Sequence, residues 1–211
     1  MTAMRMAAGV VATLVITFAG ERADAAGMPV ESSTVTFPGG AGPIKGYLAK
    51  PKGDGPFPGV VVVHEWWGLS DWVKQSADRL AGQGYAALAV DLYGGKVTAD
   101  PGEAHELMRA LDPNEGLADL KGGVAYLSKQ PFIARDKKLG AIGWCMGGMY
   151  SRLISQASDA VGPTAICYGS VATEPAQVAR LAGKPLLLIF GETDRGIPAQ
   201  KVKQFADQLK R

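Results

Sequence analysis

The run Gly143-Trp144-Cys145-Met146-Gly147-Gly148 puts a thiol between glycines two positions to either side, after a short apolar segment and before a helix-compatible one. A sharp strand-to-helix turn that lifts a nucleophile to its apex needs small residues at those positions, because larger side chains collide with the tightly folded backbone. A cysteine there can attack a carbonyl carbon. Taken alone, the pattern is equally that of a small buried hydrophobe in a glycine-rich chain. A second segment strengthens the chemical reading. Leu186-Leu187-Leu188-Ile189-Phe190 is followed by Gly191-Glu192-Thr193-Asp194, so an acid closes a later apolar strand. Nucleophile, then acid, then histidine is the chain order of one group of catalytic triads. The first two are present in order, but the two histidines, His64 and His105, both precede Cys145.

These residues need a scaffold, and the hydrophobic pattern supplies one. Residues 35–37 and 44–49 flank a Pro/Gly-rich connection and predict an opening antiparallel hairpin. Residues 59–63 form a β-branched run without polar alternation, as expected of a strand covered on both faces. Similar runs recur at 86–90, 139–143, 164–168 and 186–190. Helical patterns lie between or beyond them, at 71–83, 102–110, 113–129, 146–157, 175–181 and 198–209. Strands alternating with helices predict a doubly wound, mostly parallel α/β sheet whose ligand crevice lies at the carboxyl ends of the strands. His64 and Glu65, Asp91, Cys145 and Asp194 each follow such a strand.

With 211 residues, 47% hydrophobic and 20% charged, the chain is long enough for one well-buried core. A net charge of +2, with its Lys and Arg dispersed, argues against nucleic acid as a partner. The two histidines and two cysteines do not match common zinc spacings, and there is no Walker loop or dinucleotide fingerprint, so no metal and no cofactor are expected. Arg5, the apolar stretch 6–20 and Ala23-Asp24-Ala25 read as a secretory signal peptide over residues 1–25, leaving a domain at 26–211. Export to a periplasm or beyond follows, with no stable membrane span after processing. An uncleaved leader would instead act as an anchor. In an oxidising compartment Cys145 and Cys167 could form a disulfide, which would silence the nucleophile. A dithiol redox role is a further alternative, although C-x-x-C spacing is lacking.

Taken together, His64-Glu65-Trp66-Trp67-Gly68-Leu69, Gly84-Tyr85-Ala86-Ala87, Asp91-Leu92-Tyr93, the Cys145 elbow and Gly191-Glu192-Thr193-Asp194 resemble the dienelactone hydrolase family. This is a cysteine-nucleophile branch of the α/β-hydrolases. The resemblance runs from about residue 30 to the end. It implies Cys145 as nucleophile, Asp194 as the acid that orients a histidine, and Glu65 as the carboxylate that contacts the resting thiol. It also implies the backbone N–H groups of Met146 and Trp66 as oxyanion donors. Independently of the resemblance, a cysteine at a helix start is expected to have its thiolate favoured by the helix dipole.

The sequence departs from the family after Asp194. It continues through one helix, without the further strand and histidine-bearing loop that the family carries there, and so reads as a C-terminally truncated α/β-hydrolase fold. His64 neighbours the oxyanion loop but should face away if Glu65 faces the thiol. His105 falls in a segment that walls the pocket in the family, and Trp67 and Tyr93 are further pocket candidates. Trp72 and Met108 could line the crevice too, although such residues are more often core. The resemblance places substrate-carboxylate contacts on arginines, and Pro101 stands at or near one of those positions, so an anionic dienelactone is not supported. The expected activity is hydrolysis of small esters or lactones through Cys145. The alternative is an inactive binding protein that keeps the pocket without its histidine. An open sheet edge at 186–190 further predicts self-association, as a homodimer.

Overall fold

The computed structural model describes residues 27–210, so the leader expected at 1–25 lies outside the described residues. Seven strands form one sheet. They are β1 (Val30–Pro38), β2 (Pro43–Pro51), β3 (Gly59–Val63), β4 (Ala86–Val90), β5 (Leu139–Trp144), β6 (Val161–Cys167) and β7 (Leu186–Ile189), in the spatial order β1-β2-β4-β3-β5-β6-β7. β1 pairs antiparallel with β2, and β2 with β4, while every pair from β4 to β7 is parallel. The opening hairpin is longer than its β-branched centre predicts. Val30 pairs with Pro51 and Pro38 with Pro43, because backbone pairing carries on through the polar residues of an outer, largely exposed strand.

The helices are α1 (Asp71–Gly82), α2 (Pro101–Ala110), α3 (Pro113–Ser128), α4 (Met146–Ala157), α5 (Pro175–Ala179) and α6 (Ala199–Leu209). Two starts are capped by side chains. Asp100 accepts from Glu103 N–H, and Asp112 from Asn114 and Glu115 N–H, each just before a first-turn proline that has no N–H to satisfy. The strand that sequence periodicity places at 164–168 runs instead from Val161 to Cys167. Pro163 does not stop it, since Thr164 N–H pairs outward with Pro185 O, and Tyr168 leaves the extended region.

The alternation of side chains along the central strands builds a core on each face of the sheet. Val61, Val63, Leu88 and Val90 pack with Leu120, Val124, Tyr150 and Ile154 of α3 and α4. Val60, Val62, Ala87 and Ala89 pack with Val73, Ala77 and Ala81 of α1. A third cluster joins Ile166 to Val178, Leu181 and Phe205, fixing α5 and α6 beside β6 and β7. The Lys184 ammonium ties this part to α4, donating to the carbonyls of Ser155, Ser158 and Val161, where it meets the negative end of the helix. Among the described residues β7 has one strand neighbour, and Leu187 and Ile189 on it are exposed. No described helix is long and apolar enough to cross a membrane.

Strand order reverses at β3, which has β4 on one side and β5 on the other. Chain connections leave the two strands in opposite directions there, opening a crevice at their carboxyl ends. Glu65 follows β3 and Cys145 follows β5, so both flank it.

Candidate active site

Cys145 stands between β5 and α4 with φ 55° and ψ −118°, a conformation that non-glycine residues rarely adopt. Two backbone bonds hold the turn: Cys145 N–H donates to Cys167 O at 3.0 Å, and Met149 N–H to Cys145 O at 3.2 Å. The glycines around it allow direct backbone contact. A β-carbon on Gly147 would lie 2.5 Å from His64 O and closer still to Val63 O, and one on Gly148 would lie 2.6 Å from Cys167 O. Gly169, which the motif does not include, abuts Gly148 and Met149 in the same way. α4 can therefore start directly against the ends of β3 and β6, with the thiol at the mouth of the crevice.

The thiol is half-buried and its pKa is raised above the ordinary 9.0. Burial contributes most, the Met146 N–H opposes it, and the charges of Glu65 and Asp194 raise it further. The helix-start N–H does favour the thiolate, as expected, but burial and two carboxylates outweigh it. The resting thiol is protonated at neutral pH. Cys145 and Cys167 are both free, so the disulfide alternative is not what the structure contains. Cys167 is buried, and burial pushes its pKa up to about 11.

Glu65 faces the mouth from the β3 end. Its Oε1 accepts from the Tyr168 hydroxyl at 3.1 Å, and its charge acts on Cys145. Asp194 faces it from the β7 end. Its Oδ1 accepts from Gly196 N–H at 2.8 Å and Ile197 N–H at 3.0 Å, which fixes the carboxylate and leaves Oδ2 open to a donor. Met146 N–H is the first of α4 and has no helical acceptor; Trp66 N–H has none among the described residues. Trp66 and Trp67 meet edge to face at 4.9 Å, and Trp67 O accepts from Thr98 N–H. Tyr93 is buried, donates to Met146 Sδ at 3.2 Å, and has its pKa pushed up to about 12 by burial and then by the Tyr150 and Cys145 charges. Trp72 stacks edge to face on Trp144, while Met108 packs against the core.

Neither histidine reaches the thiol or Asp194 through a hydrogen bond among the described residues. His105 is exposed on α2. His64 is fully buried, with Nε2 accepting from Leu92 N–H at 3.1 Å and Nδ1 meeting Glu65 O at 2.5 Å. An Nε2 that accepts must be unprotonated, so the proton sits on Nδ1 and is donated to Glu65 O. The neutral ring thus clamps the loop that carries Glu65 and Trp66. Burial holds the His64 pKa below 6.5, against the opposing effects of the Glu65 carbonyl and Asp91. An unfolded chain takes up this proton near pH 6.5 and the folded chain does not, so folding stability falls as pH drops below that point. The expected slope is up to about 1.4 kcal/mol per pH unit, and urea midpoints at pH 7.5 and 5.5 should show it, with the contribution lost in His64→Gln.

Tyr168 and Gly169 are the residues that motif reasoning misses. Their signal was available, since both follow β6, and the carboxyl end of every parallel strand is a candidate position.

Comparisons with known proteins agree with the fold. Protein usf of Aquifex pyrophilus is 30% identical over 177 residues, covering 79% of this chain and 73% of that protein. The carboxymethylenebutenolidase of Pseudomonas putida is 29% identical over 155 residues, covering 68% of this chain and 64% of the enzyme, so this chain spans under two thirds of that relative. A dienelactone hydrolase-like promiscuous phosphotriesterase from metagenomic libraries superimposes with a TM-score of 0.76 at 26% identity, covering 87% of this chain and 77% of that one. Residues 44–211 match the profile of the dienelactone hydrolase family, and the chain belongs to that family.

Proposed function

We propose that this protein is a hydrolase of small, uncharged esters or lactones that works through Cys145. The observation that carries the proposal is the thiol itself: it is raised on a strained elbow, meets the Met146 N–H and is flanked by Glu65 and Asp194. The Pseudomonas putida relative is a carboxymethylenebutenolidase, which supports a lactone ring as the cleaved group and says nothing for the absence of charge. In the proposed reaction the thiol gives up its proton to solvent water and sulfur bonds to the carbonyl carbon. The Met146 and Trp66 N–H groups receive the oxygen as it gains charge. The C–O bond then breaks, the leaving alkoxide takes a proton, and water cleaves the thioester to release acid and thiol.

A second reading has its own observation. Both imidazoles of the described chain are committed elsewhere, His64 by two hydrogen bonds and His105 by its exposed place on α2. A chain relying on them alone would acylate once and stall. Hydrolysis of p-nitrophenyl acetate, with Cys145→Ala beside it, separates the two: repeated turnover supports the hydrolase, and one equivalent of nitrophenolate without turnover supports the stalled form.

Substrate charge follows from the same electrostatics. Both charges that act on the thiol are negative, and no cation among the described residues offsets them there. A carboxylate-bearing ester is therefore expected to lose at least about tenfold in kcat/KM against the neutral acetate at low salt, with the gap shrinking as salt is added. Equal rates would remove charge from the specificity.

A further inference from the structure

Tyr168 is the second residue of the described chain, after Cys145, that is not glycine and has a left-handed backbone, with φ 39°. Such a conformation is unfavourable for an aromatic residue and persists only where its surroundings enforce it. Here they do. Tyr168 N–H donates to Ile189 O at 2.7 Å, tying it to β7, and the next residue, Gly169, is pressed against Gly148 at the start of α4. The ring is nevertheless 37% exposed, so burial is not what the strain serves. The distorted backbone coincides with a hydroxyl directed across the mouth to Glu65 Oε1, 3.1 Å away and 103 residues earlier in the chain.

Strand order gives that bond its meaning. Glu65 follows β3, Tyr168 follows β6, and β5, which ends at the nucleophile, lies between them. The Tyr168–Glu65 bond therefore straddles the Cys145 strand. We propose that Tyr168 is a positioning residue whose hydroxyl holds the Glu65 carboxylate at the mouth of the site, so that Glu65 governs the state of the Cys145 thiol. It works through Glu65 and need not touch substrate. The role lies in the site proposed above for ester cleavage and rests on that reading for its use in catalysis. The thiol, however, can be measured without any substrate turning over.

Among the described residues, four groups that can carry charge face Cys145: Glu65 after β3, Asp194 after β7, Tyr93 after β4 and Tyr168 itself. Burial and then the Glu65 charge raise the Tyr168 pKa, so its hydroxyl stays protonated and can only donate to the carboxylate. Without that donor, Glu65 is free to turn into solvent and its repulsion of the thiolate weakens.

The test is the rate of iodoacetamide alkylation against pH for the whole chain, with Cys145→Ala as the blank for Cys167. Tyr168→Phe keeps the ring and the backbone and removes only the hydroxyl. Its midpoint is expected to move to lower pH, with alkylation at pH 7 faster by roughly three- to tenfold. Glu65→Gln should shift it at least as far, and Tyr168→Phe added to Glu65→Gln should change nothing more, because a residue acting through Glu65 has nothing left to hold. A midpoint in Tyr168→Phe that stays put or moves to higher pH would overturn the proposal. So would a shift that persists undiminished on the Glu65→Gln background, since Tyr168 would then act without Glu65.

Discussion

Cys145→Ala is expected to reduce ester hydrolysis to the solution background, a loss of roughly a thousandfold or more, and to abolish any initial burst of nitrophenolate. Alanine removes the thiol of the elbow and leaves the turn's backbone bonds to Cys167 and Met149 in place, so folding should survive. Cys145→Ser is expected to fare little better. A serine hydroxyl is a far weaker acid than a thiol and needs a base within hydrogen-bonding reach, and neither described imidazole is bonded there. The cysteine can ionise without such a base, although reluctantly, because burial and the Glu65 and Asp194 charges raise its pKa. The sign of the pH effect follows. Thiolate is the minor form at neutrality, so the rate of acylation should rise about tenfold per pH unit below the thiol's pKa. Stopped-flow release of nitrophenolate between pH 6 and 9 measures that slope. A flat profile would mean that the thiol is already ionised or that another nucleophile reacts.

Much of this arrangement is readable from residue order. The β-branched run at 59–63 and the alanine-rich run at 86–90 could be placed as doubly covered strands because nothing polar interrupts them, and both are buried on each face. The elbow was legible for a steric reason: glycines at 143, 147 and 148 answer backbone contacts that tolerate no β-carbon. The state of the thiol was not legible. Sequence shows that Cys145 begins a helix, but not that Glu65 and Asp194 converge on it from strands on either side. Nor could periodicity find Tyr168. It looks like the last residue of an apolar strand, and its left-handed turn depends on β7 and α4 packing around it. Alternation alone turns His64 away from the thiol, yet its clamp between Leu92 N–H and Glu65 O depends on two loops meeting in space.

The largest structural penalty is expected at Gly147. Alanine there would set a β-carbon 2.5 Å from His64 O and nearer still to Val63 O, and backbone oxygens of a central strand cannot rotate away as a side-chain tip can. Val63 is paired on both sides, with Val90 of β4 and Gly143 of β5, so the strand is held and α4 would have to retreat instead. That retreat pulls Tyr150 and Ile154 out of the core they share with Val61 and Val63. It also opens the contact with Gly169 that forces Tyr168 into its strained turn. Gly147→Ala should therefore cost about 3 kcal/mol or more, the upper end of what forcing a packed core apart costs, and little folded chain is expected at 37 °C. Gly82→Ala is the matched contrast. Gly82 ends α1 with a helical backbone, and its added β-carbon would meet nothing nearer than 3.9 Å. There the gain in helix propensity should stabilise by up to about 1 kcal/mol. Urea unfolding of the two variants beside the parent reads both effects. A Gly147→Ala chain as stable as the parent would show that α4 is not seated on β3, and the elbow geometry, the Cys145 site and the Tyr168 strap would all have to be redrawn.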